Sequence, residues 1–152
     1  MGYVVRIERT RECPTAVVRA VTTRREFPSL WPRLLDEVWA FLRASSGLRS
    51  DGHNVMVYRH HVPGVELAVE VGVQVTTTFE AHGRVVPSTL PATEAAVTLH
   101  TGAPAAIGAA YEAIREWSVS QGRELADLRW EIYGDPDPGT GHFDVQVQWE
   151  LA

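Results

Sequence analysis

Glu131 lies in the segment RWEIYG (129–134), with Trp130 directly before it and Tyr133 two residues after it. Side chains alternate along an extended strand, so Glu131 and Tyr133 face one way while Trp130 and Ile132 face the other. The segment NVMVYRH (54–60) has the same design: Met56 and Tyr58 oppose Val55 and Val57. A carboxylate among rings is poorly solvated and suits a cation, whose charge it offsets and which the ring faces attract. A methionine beside it adapts to ligands of different shape. The same carboxylate could instead serve as general acid or base, with Tyr133, Gln146 or Glu70 positioning a water. Binding and hydrolysis are therefore the two chemistries these residues could support.

Other chemistries lack their residues. The chain has no lysine, which removes Schiff-base catalysis and the lysine of a phosphate loop. Its single cysteine, Cys13, can form no internal disulfide and is read as a bystander. His60 and His61 are adjacent on a strand and point to opposite sides, and His53, His82, His100 and His142 show no ligand spacing, so no metal or other cofactor is expected. Neither a GxSxG nor an HExxH motif occurs. Residues 1–76 hold 10 arginines against 8 carboxylates, a balance of +2, and residues 77–152 hold 4 against 11, a balance of −7. An acidic chain is a poor match for phosphate backbones, so direct nucleic-acid binding is not expected. No apolar run reaches the ~18 residues of a membrane span, and the N-terminus has no signal-peptide core. The expectation is a cytoplasmic protein with no membrane contact.

The elements that must hold these residues occur twice. TAVVRAV (15–21) reads as a strand. A helix follows, capped by Ser29 and stopped by Gly47, with an apolar stripe of Leu34, Leu35, Val38, Phe41 and Leu42. Segments 54–60 and 66–75 form a hairpin about Pro63-Gly64. TEAAVTLH (93–100) then restarts the series. A second helix opens at Gly102 and Pro104, carries Ile107, Ala110, Tyr111, Ile114 and Trp117, and stops at Gly122. Strands 129–134 and 143–151 close it. The fold class is α+β in a single domain of 152 residues. Two β-α-β-β repeats, about 1–76 and about 93–152, relate by a pseudo-two-fold axis and are bridged by 77–92; YVVRIER at the start pairs with a sheet edge. Helices on one face of the sheet leave the other free. The aliphatic set (Val55, Val57, Trp130, Ile132, Val145, Val147, Trp149) is expected to meet the helices. The mixed set (Met56, Tyr58, Glu131, Tyr133, Gln146) is expected to line the free face, with Trp39 at the mouth of the pocket. Tyr111 is read as core.

LPATEAAVTLHTG, AYEAIREW, RWEIYGDPDP and VQVQWELA, in that order and at these spacings, resemble the GyrI-like small-molecule-binding domain, which also serves as the effector domain of bacterial multidrug-sensing regulators. The resemblance is densest from Leu90 to Ala152. It implies two modules forming a curved antiparallel sheet, a pocket between them with Glu131 inside, and binding of bulky aromatic, often cationic, compounds. Some members of the family are hydrolases of cyclopropane-bearing drugs that use two glutamates; Gln146 stands at the second position here. Three functions follow as expectations: a stand-alone binder of planar hydrophobic or cationic aromatic molecules; a hydrolase using Glu131 and Tyr133; and a protein-partner module such as a gyrase inhibitor.

Overall fold

The computed structural model describes residues 2–45, 47–48, 52–59 and 62–152; His60 and His61 lie outside them. The chain forms β1 (Arg6–Arg9), β2 (Cys13–Thr22), α1 (Phe27–Arg43), β3 (Asn54–Arg59), β4 (Leu67–Gln74), β5 (Val85–Leu90), β6 (Glu94–His100), α2 (Gly108–Gln121), β7 (Leu125–Pro136) and β8 (Phe143–Leu151). A single turn of tighter helix at Pro104–Ala106 precedes α2. The eight strands make one antiparallel sheet in the order β1-β6-β8-β7-β3-β4-β2-β5.

The two expected modules are β2-α1-β3-β4 and β6-α2-β7-β8, and they meet at the β3–β7 pair. There Met56 stands directly opposite Glu131, so the pseudo-two-fold axis passes between these two residues. The bridging segment 77–92 holds a strand of its own, β5, which pairs with β2 of the first module, while β1 pairs with β6 of the second. Each module thus lends its leading strand to the other.

This exchange curls the sheet. Six strand spacings separate β5 from β6 and also β1 from β2, about 29 Å if the sheet were flat. Only four residue steps join Leu90 to Glu94 and Arg9 to Cys13, a reach of at most about 14 Å. The sheet must bend until its two sides approach. Thr10 fastens the two connections together: its hydroxyl donates to the carbonyls of Pro91 (2.7 Å) and Thr93 (3.1 Å). As a result Leu90, Ala95 and Val97 pack with Val55, Val57 and Trp130 in one cluster on the helix-free face, although their strands stand far apart in the sheet order.

That cluster corrects the expected assignment of faces. Directly paired residues of antiparallel strands share a face. Glu131 pairs with Val147, and Met56 pairs with Val71 and Glu131, so all four lie together. The two helices cover this same face: α1 lies on β2 and β4, and α2 on β6 and β8. Met56, Tyr58, Glu131 and Tyr133 therefore lie on the helix-bearing face, with Val145, Val147 and Trp149. Val55, Val57, Trp130, Ile132 and Gln146 take the other. The centre of that other face is not open: Trp130 is 1% exposed there and donates its indole N–H to Gln148 Oε1 at 2.7 Å.

Local signals account for the helix ends. α1 begins at Phe27 after Glu26, and Pro28 in its first turn supplies a ready-made helical φ. Ser29, expected as the cap, is already inside the helix, where its hydroxyl returns to the Glu26 carbonyl at 3.0 Å. The helix stops at Arg43 rather than running on to Gly47. Gly122 ends α2 in the left-handed conformation at φ 64°, as expected. Gly72 in β4 has a different purpose: a Cβ there would stand 1.8 Å from the Ala16 carbonyl oxygen, so only glycine lets β4 approach β2 this closely.

Candidate functional site

The helices lie on the flanking strands, and the central pair, β3 and β7, runs between the two helix-covered halves. Tyr58 rises from β3, Glu131 and Tyr133 from β7, and Tyr111 comes down from the apolar stripe of α2. The three phenols converge on one carboxylate. Tyr133 donates to Glu131 Oε1 at 2.6 Å, Tyr58 donates to the same oxygen at 3.3 Å, and Tyr111 donates to Oε2. Glu131 is 3% exposed. A buried carboxylate is tolerated only when its lone pairs are met by donors, and here three hydroxyls meet them.

Methionine sulfur completes the cluster. Met56 Sδ lies 3.4 Å from the Tyr58 hydroxyl and 3.9 Å from that of Tyr133. The rings are fixed by edge contacts with residues outside the cluster: Phe27, at the start of α1, meets Tyr58 at 5.9 Å, Trp149 meets Tyr111 at 6.0 Å, and Phe143 meets Tyr133 at 6.2 Å. Arg129, two residues before Glu131 and on the same face, places its guanidinium 4.5 Å from the Tyr58 ring centroid and 4.1 Å from that of Tyr111.

This setting holds all three phenols in the protonated state. For Tyr58, Tyr111 and Tyr133 the ionisation range is pushed well upward, first by burial and then by the negative charge of Glu131. They act as fixed O–H donors at every physiological pH. The arrangement can therefore hold a negative charge, present ring faces and edges, and offer a polarisable sulfur.

Of the residues singled out in the sequence, the fold brings together Glu131, Tyr133, Tyr58 and Met56. Gln146 is a correction: it pairs with Ile132 and Leu99, faces away from Glu131, and accepts a hydrogen bond from Gln148 Nε2 at 3.0 Å. Antiparallel pairing of β7 with β8 fixes this, because Val147 and not Gln146 stands opposite Glu131. Glu70, considered as a water-positioning group, also lies on the far face, held by Arg19 at 2.9 Å and Ser88 at 2.8 Å. Trp39 is half-buried on α1 and donates its indole N–H to Asn54 Oδ1 at 2.9 Å, at the start of β3. His100 is a buried strand-end residue whose Nε2 donates to the Ala103 carbonyl at 2.8 Å while Nδ1 accepts from Tyr3. Two members of the cluster escaped the sequence reading. Arg129 shares the parity of Glu131 and could have been found from it, whereas no sequence signal says that the Tyr111 hydroxyl reaches across to β7.

Concavities occur away from this cluster. One of about 400 Å³ on the helix-free face is lined by Val21, Val57, Arg59 and the already paired Arg19 and Glu70. A second, of about 660 Å³, runs between the N-terminal segment and α2 past Tyr3, Glu112, Glu116 and Trp117, and is more open. Among the described residues no group of three or more side chains could hold a metal ion, and no helix is long and apolar enough to cross a membrane.

Comparison with known proteins places this geometry in context. A family model described as the GyrI-like small molecule binding domain matches residues 4–148. The C-terminal domain of EcmrR superposes with a TM-score of 0.80 at 19% identity, covering 100% of this chain and 99% of that one. In the EcmrR–DNA complex the likeness covers 98% of this chain but 57% of that one, at 18% identity and a TM-score of 0.79. SAV2435 bound to tetraphenylphosphonium gives a TM-score of 0.72 at 13% identity over 100% of this chain and 94% of that one. A hydrolase encoded by lin2189 from Listeria innocua gives 0.61 at 7% identity over 97% and 91%. At these identities the structures share a fold with this chain. No curated protein sequence matches it.

Proposed function

The chain belongs to the GyrI-like small molecule binding domain family, and from that premise we propose that it takes up planar, hydrophobic compounds, cationic ones included, in the groove between its two modules, with Glu131 at the centre. The observation that carries this reading is the convergence of three phenol hydroxyls on one buried carboxylate, at the place where the pseudo-two-fold axis crosses the sheet. An apolar recess with a few convergent polar groups is the usual form of a small-molecule site. SAV2435, which shares the fold, has a lipophilic aryl cation bound. EcmrR, which also shares it, occurs in a complex with DNA, and this chain matches 57% of that protein's length.

Hydrolysis is the less favoured reading. General-base action needs a water against the carboxylate, and Glu131 already accepts three O–H donors; the polar partner expected at Gln146 faces the opposite side of the sheet. Rhodamine or crystal-violet titration tests the binding reading. A saturable fluorescence change is expected, with affinity for the cationic dye falling about tenfold in Glu131→Gln, the equivalent of one charge-assisted contact. No saturable change, or identical affinity in the variant, would remove Glu131 from the account. Incubation with a cyclopropane-bearing alkylator that yields a water adduct would restore the hydrolase reading.

A further inference from the structure

We infer that the guanidinium of Arg129 is the resident cation of this groove, so that a cationic ligand enters by exchange with it and Arg129 sets the charge preference of the site. The inference rests on the reading of the groove as a ligand site and concerns which ligands that site favours.

The geometry is that of a cation already in an aromatic cage. The Arg129 Cζ lies 4.1 Å from the Tyr111 ring centroid, 4.5 Å from that of Tyr58 and 5.8 Å from that of Trp149. All three are within the ~6 Å over which ring faces attract a cation. Arg129 is 8% exposed, and Tyr58, Tyr111 and Trp149 are buried with it. Tyr58 and Tyr111 are also the rings whose hydroxyls bind Glu131. The same two side chains therefore offer their faces to a cation and their edges to an anion, and both places are filled by the protein's own β7.

A guanidinium is planar, weakly hydrated and suited to stacking on rings, so it is the natural side chain to stand in for a flat organic cation. Its charge is permanent under all ordinary conditions. A ligand carrying a permanent positive charge must compete with it for the faces of Tyr58 and Tyr111, and its charge adds to one that is already present. A neutral planar ligand of the same outline, stacking in the groove beside Met56 and Tyr133, meets no such competition. The apparent affinity for a cation is lowered by the small fraction of molecules in which Arg129 has swung out. Removing Arg129 lifts that penalty and leaves the faces of Tyr58 and Tyr111 to the ligand.

Acridine, neutral at about pH 8, and 10-methylacridinium, a permanent cation of almost the same shape, separate charge from fit. Their affinities are measured by fluorescence titration of the wild-type chain, Arg129→Gln and Arg129→Lys. The expected result is that Arg129→Gln binds 10-methylacridinium about tenfold or more tightly while its affinity for acridine moves by less than about threefold. Arg129→Lys, which keeps the charge and loses the planar stacking, is expected between the two. Acridine binding, with unchanged far-ultraviolet circular dichroism, certifies that each variant is folded; should Arg129→Gln not fold, the ranking of Arg129→Lys against wild type for the cation carries the test alone. If both dyes bind but their affinity ratio is the same in all folded variants, or the cation binds more weakly without Arg129, the inference is overturned while the groove remains a ligand site. If neither dye binds any of the proteins, the groove reading itself has failed.

Discussion

Above about pH 10 the domain is expected to unfold cooperatively, and Tyr58, Tyr111 and Tyr133 are expected to ionise only as it does so. A phenol whose ionisation range is raised on folding holds its proton more tightly in the native state than in the unfolded chain. Its stabilisation is complete below the unfolded value of about 10 and is lost as the pH climbs beyond it. All three phenols are shifted in this direction, by burial first and by the Glu131 charge second. Each contributes about 1.4 kcal/mol of lost stability per pH unit, so together they remove about 4 kcal/mol per unit. A domain with about 5–15 kcal/mol to lose is exhausted within about 1–4 pH units. Absorbance at the tyrosinate band and far-ultraviolet circular dichroism, followed on the same sample, should therefore change together for these three residues. Ionisation of the three while the helical signal remains intact would show that they are not enclosed around the carboxylate.

Replacing Glu131 with alanine is expected to cost about 3–5 kcal/mol of stability, the usual penalty for taking one member out of a buried charged network. Three hydroxyls lose their acceptor. For a chain of this length the melting temperature should fall by roughly 10 °C. Glu131→Gln keeps a carbonyl oxygen for the phenols and should cost less. Because Arg129 and Glu131 bind the same two tyrosines, their substitutions should not add: combining Arg129→Gln with Glu131→Ala is expected to be milder than the sum by at least about 1 kcal/mol. Denaturant melts of the two single variants and the double variant measure this, and strict additivity would place Arg129 outside the network.

Much of this fold was legible because its signals are local. Alternation marked β3, β7 and β8, the helical stripe of Ile107, Ala110, Tyr111 and Ile114 marked α2, and Gly122 ended it where expected. The recurrence of strand, helix and hairpin revealed the two modules. What failed depended on contacts between distant segments. Parity along a strand says which residues share a side, and it grouped Met56 with Tyr58 and Glu131 with Tyr133 correctly. It does not say which side receives the helices, nor how one strand registers against the next. The Glu131–Val147 pairing put an aliphatic residue beside the carboxylate and sent Gln146 to the far face. The β5 strand was read as a bridge because VVPSTL, with its proline, has little strand character of its own. It is a strand at the sheet edge, where a missing N–H is tolerated. Tyr111 satisfied the helical stripe as any large apolar residue would, so nothing in its spacing distinguished a ring that fills the core from a ring whose hydroxyl completes a site.

The central claim is that ligand arrives at the carboxylate ringed by Tyr58, Tyr111 and Tyr133, and the chain's 4 tyrosines provide the means to test it. Tyr3 is the internal control, since it lines the groove between the N-terminal segment and α2. Carbon-13 labelling of the tyrosine rings, with each signal assigned by Tyr→Phe substitution, allows a titration with rhodamine to be followed ring by ring. Saturable shifts of Tyr58, Tyr111 and Tyr133 with one common dissociation constant are expected, and a Tyr3 signal that stays in place. Shifts confined to Tyr3, with the other three unmoved at saturation, would contradict it.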